Sequence, residues 1–192
     1  MTIHIKPVLP TELEGTAPML TSLLHRVVNG GSPLGFLPPL SALDAHTYWL
    51  SLAPELQQGT RLLLVAFTQQ GPAGAAQLVL STAPNGRHRA EIQKLFVANE
   101  VRGNGVGRAL ITALHYAARR SHRSLIVLNT RRGEPAEAFY RRLGYREVGV
   151  IPGWTVGPQG ERYDHVTLYH ELGHASLSSR VTRLGTSVRV RD

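Results

Sequence analysis

The chain has 192 residues, of which 42% are hydrophobic and 18% charged, and it contains no cysteine. This composition is typical of one folded domain with a buried core, and the lack of thiols excludes disulfides, thiolate metal sites and cysteine nucleophiles. No apolar run approaches the ~20 residues of a membrane-spanning helix, and the N-terminus lacks a signal-peptide pattern, so we expect a cytoplasmic protein. The net charge of +8 allows acidic partners such as nucleic acid or phosphorylated small molecules.

Hydrophobic periodicity and turn residues predict an alternation of helices and strands along most of the chain. In chain order, the predicted elements are a strand over 3–9, helices over 12–28 and 41–57, strands over 61–68, 73–82 and 89–97, a helix over 106–120, a strand over 124–129, a helix over 135–142, and strands over 145–151 and 162–169. Periodicity then weakens, so we predict a domain over residues 1–172. The rest, 173–192, is predicted to be a flexible or appended tail, with one extra strand at 187–190.

Prolines and glycines refine this prediction. We expect the main part of the first helix to begin near Ala17 or Pro18, because proline disrupts a helix interior. Ser41 is a suitable N-cap for the second helix. The loop over 30–40 is rich in glycine and proline, and it either connects elements against the core or forms one wall of a substrate pocket. Residues 152–160 are predicted to be a second such loop.

The stretch from Glu91 to Arg108 is the most informative part of the sequence. A strand ends at Val97, and three glycines follow within five positions before a helical pattern opens at Val106 or Gly107. The first N–H groups of a helix have no intrahelical partner, and glycines let the backbone curl around an anion. Arg102 adds a full positive charge, as does the arginine at 108. The stretch therefore predicts a phosphate-binding turn.

Two common phosphate motifs do not fit this turn. A P-loop needs a lysine followed by serine or threonine after its last glycine, and that pair is missing. A dinucleotide-binding fingerprint needs an opening βαβ unit with a later acidic residue, whereas this turn follows three predicted antiparallel strands. The turn therefore requires another explanation.

The residues 102–107, Arg-Gly-Asn-Gly-Val-Gly, resemble the Arg/Gln-x-x-Gly-x-Gly/Ala signature of the GNAT superfamily of N-acetyltransferases. The predicted order of elements also resembles that of the family across most of the chain. A second family signature is matched by Asn129, Ala136, Tyr140, Gly144 and Tyr145. The resemblance implies an α/β (α+β) fold: a central, mixed, mostly antiparallel sheet of six to seven strands, splayed at its centre and flanked by about four helices.

At closer range the chain resembles the tabtoxin-resistance type of acetyltransferase. The residues that carry this narrower likeness include the segments 30–32, 35–36, 76–78, 84–86, 89–95, 136–140 and 152–153. It implies a small acceptor, either amino-acid-like or similar to a toxin or antibiotic, and a role in resistance.

The family resemblance implies an enzyme that transfers the acetyl group of acetyl-CoA directly to a primary amine, without a metal. The implied cofactor-binding residues are Leu95, Phe96, Val97, Arg102, Gly103, Asn104, Gly105, Val106, Gly107, Arg108, Asn129, Ala136 and Phe139. The turn is expected to hold the CoA pyrophosphate, and the strand edge at 95–97 to pair with the pantetheine arm. Phe36, Glu91 and Trp154 are the expected substrate-binding residues, although Trp154 could equally fill the core.

Three residues are candidates for catalysis. Tyr140 matches the general-acid tyrosine of the family, which protonates the leaving thiolate; the alternative is an aromatic residue on a packing face. Glu91 is the candidate base, and the alternative is a solvent-facing carboxylate. The narrower family tends to carry an acid where this chain has Asn129, and an amide cannot take a proton at neutral pH. The base role therefore rests on Glu91, on His88 or on a water chain.

Several other functions stay open at this point. The acceptor could be a protein N-terminus or a lysine side chain, or the protein could sense acetyl-CoA without turnover. A nucleic-acid-binding module is a less favoured reading of the basic charge. The seven arginines expected near the cofactor side have the CoA 3′-phosphate as their favoured partner: Arg119, Arg120, Arg123, Arg131, Arg132, Arg141 and Arg142. The nine histidines show no metal-binding spacing, and a homodimer is expected by resemblance alone.

Overall fold

A computed structural model describes residues 1–32 and 34–173 and the backbone of residues 187–188. These residues form one sheet with helices on both faces. The strands are β1 (Ile3–Pro7), β2 (Arg61–Thr68), β3 (Gly71–Leu80), β4 (Arg89–Val97), β5 (Leu125–Arg131), β6 (Arg146–Val156), β7 (Arg162–Glu171) and β8 (Ser187–Val188). The helices are α1 (Leu13–Asn29), α2 (Ala42–Leu50), α3 (Ala53–Gln57), α4 (Val106–Arg120) and α5 (Pro135–Arg142).

The strand order is β6-β7-β5-β4-β3-β2-β1-β8, and the pairing of β4 with β5 is parallel whereas the other described pairings are antiparallel. The seven longer strands and this mixed pairing confirm the predicted fold class. The two-residue β8 pairs with β1 and matches the first half of the strand predicted at 187–190. The rest of the predicted tail, 174–186 and 189–192, lies outside the described residues.

The core follows directly from the apolar pattern. Leu63 to Ala66 of β2 are all buried, as expected for a continuous apolar run covered on both faces. Helix α4 is amphipathic, with one face of apolar side chains turned to the sheet, and α1 with α2 covers the opposite face. None of the described helices is long and apolar enough to cross a membrane.

Three predicted boundaries are wrong. Helix α1 runs continuously through Pro18, whose exposed position lets solvent bind the carbonyl that loses its partner. The helix predicted over 41–57 is divided into α2 and α3, although Ser41 caps α2 as expected by accepting a hydrogen bond from the N–H of Asp44 at 3.0 Å. Strand β6 extends to Val156, so Trp154 belongs to a strand and not to a loop.

The parallel strands β4 and β5 diverge at the centre of the sheet. Their register pairs are limited to residues 89–91 with residues 125–127. On its other side, β4 stays paired with β3 up to Val97, and one extra residue forms a β-bulge around Lys94. Beyond the splay, the edge of β4 that faces β5 has no partner strand among the described residues. Helices α4 and α5 lie on one side of this edge, and the loop over residues 30–40 lies on the other.

Candidate active site

The glycine turn has the backbone geometry of an anion site. Gly103 and Gly105 have φ values of +79° and +84°, a region in which a Cβ is strained, and α4 begins at Val106 as predicted. Among the described residues, no hydrogen-bond acceptor is found for the N–H groups of residues 103–108. Val106 is buried and contributes only its backbone here, whereas Asn104 and Arg108 are exposed. Six consecutive donors therefore remain available to an external anion.

Three elements meet at the first turn of α4. A Cβ placed on Gly107 would lie 3.2 Å from the Phe139 ring and 3.7 Å from a methyl group of Val97. The lack of a side chain at 107 thus lets α5 and the end of β4 approach the helix start closely. Ala136 is exposed one turn earlier on α5. The structure brings these predicted cofactor residues together.

The unpaired edge of β4 begins after Glu91 and ends at Val97, next to the glycine turn. Such an edge can pair with an extended ligand through its N–H and C=O groups. Phe96 is 4% exposed and packs near Trp49 of α2, so only its backbone faces the cleft. Leu95 is partly buried against the core.

Arg102 does not extend toward the anion site. Its Nε donates to the carbonyl of Val97 at 3.3 Å, and its Nη2 donates to the Ser32 hydroxyl at 2.8 Å. The side chain therefore ties the turn to the strand end and to the residue 30–40 loop. In this conformation the side chain of Arg102 stabilises the turn and does not itself point at the anion site.

Tyr140 lies on α5 and is 7% exposed, with the rings of Phe139 and Tyr145 at 5.2 and 5.5 Å. Its hydroxyl makes no hydrogen bond to the described residues. Burial raises the pKa of Tyr140 well above its ordinary value of 10.0, so the phenol stays protonated at neutral pH. A general acid must hold its proton until the leaving group takes it, and this environment meets that requirement.

Two histidines behind this tyrosine were missed by the sequence analysis. His115 on α4 has its Nε2 2.7 Å from the Tyr145 hydroxyl and stacks on His170 at 4.9 Å. Burial, the facing His170 and Arg119 lower the pKa of His115 to about 4, so it is neutral at pH 7. His165, five residues before His170 on β7, projects from the opposite face and lies against Trp154.

Glu91 and Asn129 share the face of the sheet that is opposite to α4. Glu91 pairs in register with Val127, and Asn129 lies two residues further along β5, so their side chains project from the same face. Gln93 follows Glu91 by two residues and is joined to Tyr48 of α2 through Arg61 and Gln77, which identifies the face.

The polar partners of Asn129 limit its role. Its Oδ1 accepts a hydrogen bond from the Thr167 hydroxyl at 2.7 Å, and this leaves the amide N–H groups for a ligand or water.

Glu91 is half-buried at the last paired position before the splay. His88 precedes β4 at the opposite end from the cleft, about 10 Å of strand from Glu91. Of the two sequence-predicted bases, Glu91 is the better placed.

Phe36 and Trp154 do not form one pocket. Phe36 packs edge-on against Tyr48 of α2, with ring centres 5.1 Å apart. The loop over residues 30–40 therefore covers β4 on the face that carries α2. Trp154 is 52% exposed on β6 and lies 6.2 Å from His165, which contradicts the core-filling alternative. β6 and β4 are separated by β7 and β5, a spacing of about 14 Å.

The predicted arginine cluster around the cofactor side is wrong in part. Arg119, Arg120 and Arg123 lie at the end of α4, about 20 Å along the helix from the glycine turn. Arg131 stacks its guanidinium on Tyr163 at 3.6 Å instead of facing solvent. The three arginines at the end of α4 follow Gly105 by fourteen or more positions, and the length of the helix between them keeps their charges away from the turn. Within the described ranges, no group of three or more histidine or acidic side chains is arranged to hold a metal ion.

Comparison with known proteins agrees with this geometry. Residues 59–147 match the family profile described as an acetyltransferase (GNAT) domain. An uncharacterized N-acetyltransferase of Methanocaldococcus jannaschii is 41% identical over 69 residues, a segment that spans 35% of this chain and 30% of that relative. This chain thus aligns with less than a third of the length of that curated relative.

Two solved structures share the fold. A ribosomal-protein-alanine N-acetyltransferase of Brucella melitensis has a TM-score of 0.71 at 22% identity, over 88% of this chain and 99% of that one. A protein of Salmonella typhimurium, described as an acetyltransferase and solved with its cofactor acetyl-CoA, has a TM-score of 0.70 at 16% identity, over 93% and 99% of the two chains. Over residues 59–147 this chain is therefore similar to acetyltransferases of the GNAT type, and it shares its fold with both solved structures.

Proposed function

We propose that this protein transfers the acetyl group of acetyl-CoA to a primary amine of a small molecule. One observation carries the proposal: six backbone N–H groups lie directly beside a strand edge, and neither has a partner within the described part of the chain. An anion with an attached extended arm of amide groups matches both features at once. Coenzyme A has this form, with a pyrophosphate followed by the two amides of pantetheine.

The residues predicted to hold acetyl-CoA divide into three groups in this proposal. The turn over residues 103–108 binds the pyrophosphate through backbone N–H groups. The edge of β4 at residues 95–97 pairs with the pantetheine arm, and Phe139 and Ala136 line the arm from α5. Asn129 offers its amide N–H groups from the facing strand β5. The close contact of Gly107 with Phe139 supports this arrangement.

The transfer requires one proton to leave the amine and one to reach the thiolate. In the proposal, Glu91 accepts the amine proton, directly or through water, and the neutral nitrogen attacks the thioester carbonyl. The C–S bond breaks as the tetrahedral intermediate collapses, and Tyr140 donates its proton to the sulfur. Glu91 and Tyr140 lie on opposite faces of the sheet, so the splay between β4 and β5 is where the two reactants meet.

The acceptor is proposed to be small, as the resemblance to the tabtoxin-resistance type implies. The aromatic cover of Phe36 on Tyr48 over β4 supports a bounded acceptor side. The Brucella melitensis neighbour is described as acting on a ribosomal protein, so acetylation of a protein N-terminus is the alternative to test. A cytoplasmic location remains a prediction from the sequence pattern, and a homodimer and a role in resistance remain predictions from the resemblance.

Release of free thiol from acetyl-CoA tests the proposed function. The full chain is incubated with acetyl-CoA and a panel of amino acids and small polyamines, and in parallel with peptides that begin in alanine or contain lysine. Turnover of small amines is expected, with the product identified by mass spectrometry. Turnover of peptides alone would shift the assignment to a protein acetyltransferase. Tight acetyl-CoA binding without turnover of any amine would refute the enzyme reading and leave an acetyl-CoA sensor.

A further inference from the structure

Lys94 is a half-buried cation that the proposed reaction does not use. It lies in the β-bulge of β4, with a left-handed backbone φ of +49°, directly before the strand edge assigned to the cofactor. The side chain of a lysine makes this backbone conformation strained, which it would not be for a glycine. A strained position beside a reactive cleft is often kept for what its side chain does.

The ammonium group of Lys94 has only neutral partners. It donates to the carbonyl of Leu34 at 2.6 Å and lies 4.8 Å from the ring centre of Phe36 and 5.7 Å from that of Tyr48. Within the described ranges, no carboxylate comes within 4.0 Å of it. Burial and the charge of Arg61 lower the pKa of Lys94. Two of its three N–H donors therefore have no acceptor in the described fold.

Arg61, a neighbouring cation on the same face, is the opposite case. It forms a 2.9 Å ion pair with Glu55 and donates hydrogen bonds to Gln77 and Gln93. Its charge and its donors are thus occupied within the protein, which is the pattern of a structural cation. Lys94 has the spare charge and spare donors that a ligand site requires.

The position of Lys94 relative to Glu91 decides which ligand it suits. Tyr48 contacts both Gln77 and Lys94, so Lys94 projects from the same face of the sheet as Glu91 and Asn129. The two residues are three positions apart on β4, about 10 Å along the strand. A molecule whose amine lies near Glu91 can therefore place a second group against Lys94.

We propose that Lys94 binds an anionic group of the acceptor, so that the preferred acceptors are amines that also carry a carboxylate. This inference rests on the proposed function and names the substrate class of the same site. The carboxylate accepts the two free N–H donors of Lys94, while Phe36 and Tyr48 border the apolar part of the acceptor. The ion pair also compensates the buried positive charge of Lys94, which its neutral neighbours Leu34, Phe36 and Tyr48 (the Lys94 cage) do not do.

Matched acceptor pairs test the proposal. Each L-amino acid is compared with its own carboxamide, which keeps the amine and side chain and removes only the negative charge. The carboxylate form is expected to have at least about tenfold higher kcat/KM, the effect of one charged hydrogen-bonded contact. In Lys94→Met, which keeps the unbranched chain length, this preference is expected to vanish because the KM for the acid rises to that for the carboxamide.

Two further variants keep the test decisive. Lys6→Met is the matched control, because Lys6 is the other lysine of the chain and also lies near a phenylalanine ring, 5.6 Å from the centre of Phe67. It lies on β1, which is separated from β4 by β2 and β3. This variant should leave the acid preference intact. Lys94→Arg keeps the charge and should retain part of the preference, which distinguishes charge recognition from loop anchoring if Lys94→Met lowers the melting temperature.

The outcomes separate this inference from the proposed function. Equal kcat/KM for acids and carboxamides, or an unchanged preference in Lys94→Met, would overturn the inference while leaving the acetyltransferase. If no amine is acetylated, calorimetric titration of the same amino acids and carboxamides in the presence of CoA replaces the rate. Acid binding that is lost in Lys94→Met then supports the inference although the enzyme reading has failed, and lack of acid binding overturns it.

Discussion

The two faces of the sheet at the splay between β4 and β5 are built in different ways. The face with α4 and α5 offers backbone N–H donors from one continuous segment, residues 103–108. Within the described ranges, these N–H groups have no acceptor. The face with α1 and α2 carries a network of side chains in which Arg61, Gln77 and Tyr48 satisfy one another. A cofactor shared by many enzymes needs only backbone geometry, whereas an individual acceptor needs particular side chains.

This difference predicts that substitutions on the two faces affect different kinetic constants. Changes on the α4 side should alter the KM for acetyl-CoA or the chemical step. Apart from Glu91, the proposed base, and Asn129, a proposed cofactor contact, changes on the α1 and α2 side should alter the KM for the acceptor. Each experiment below tests one half of that division.

The largest effect is expected from Tyr140→Phe. Loss of a general acid typically lowers turnover by about 10²–10⁴-fold, and kcat should fall by about 100-fold or more while the KM for acetyl-CoA stays near its original value. Tyr145→Phe is the matched control, because Tyr145 is buried in the same aromatic cluster and its hydroxyl faces His115. Free-thiol release measures both variants. Equal activity of the two would remove Tyr140 from the mechanism.

On the opposite face, Gln77→Leu should destabilise the fold and weaken acceptor binding. Gln77 is fully buried, accepts from Arg61 and donates to the Tyr48 hydroxyl at 2.7 Å. Leucine leaves the Tyr48 hydroxyl without this partner and removes one acceptor of Arg61, which keeps Gln93 and Glu55, at a cost of about 1–3 kcal/mol in unfolding free energy. Urea denaturation gives this free energy, and the acceptor KM should rise without a matching rise for acetyl-CoA.

The control for this change is Gln57→Leu, an exposed position at the end of α3. It should alter the unfolding free energy by less than about 0.5 kcal/mol. A rise in the acetyl-CoA KM of Gln77→Leu equal to that of the acceptor would contradict the division between the two faces.

A smaller effect is expected from Gly105→Ala on the cofactor face. Gly105 has a φ of +84°, where alanine is strained by about 1–2 kcal/mol, so the turn should shift and acetyl-CoA should bind more weakly. Gly15→Ala is the control, because Gly15 lies in α1 with no atom within 4 Å of the added Cβ. That change should stabilise by about 0.5–1 kcal/mol. Calorimetry with acetyl-CoA is the measurement, and unchanged affinity in Gly105→Ala would count against the turn as the anion site.

The same division explains how much the sequence predicted. The glycine turn, the strand edge and Tyr140 occupy short segments with fixed spacing, so local patterns were enough to predict them as site residues, and the order of elements predicted the fold. The Lys94 cage was missed because Leu34, Phe36 and Tyr48 come from loops and helices about 50 residues away in sequence. Boundaries failed where tertiary packing outweighed local preference, as at Pro18, which α1 tolerates on an exposed face.

The smallest predicted effect is a pH dependence from the histidine behind Tyr140. His115 has its pKa lowered to about 4 in the folded protein, against 6.5 for an ordinary histidine. Below pH 6.5 the unfolded chain therefore takes up a proton that the folded protein excludes. Stability is full above this pH and is lost progressively as the pH falls to about 4. His165, whose pKa is also lowered, contributes in the same direction, so a difference between variants is needed.

His115→Gln isolates this contribution, because glutamine can still accept the hydrogen bond of Tyr145 but does not titrate. Melting temperatures from pH 7 to pH 4 should fall less steeply in His115→Gln than in the original protein. His4→Gln, at an exposed position on β1, should keep the original slope. Parallel slopes for the original protein and His115→Gln would mean that the histidine is solvated in solution. The cluster behind Tyr140 would then be too open to keep that phenol buried, and the contrast between a buried acid on one face and a charged acceptor site on the other would lose its basis.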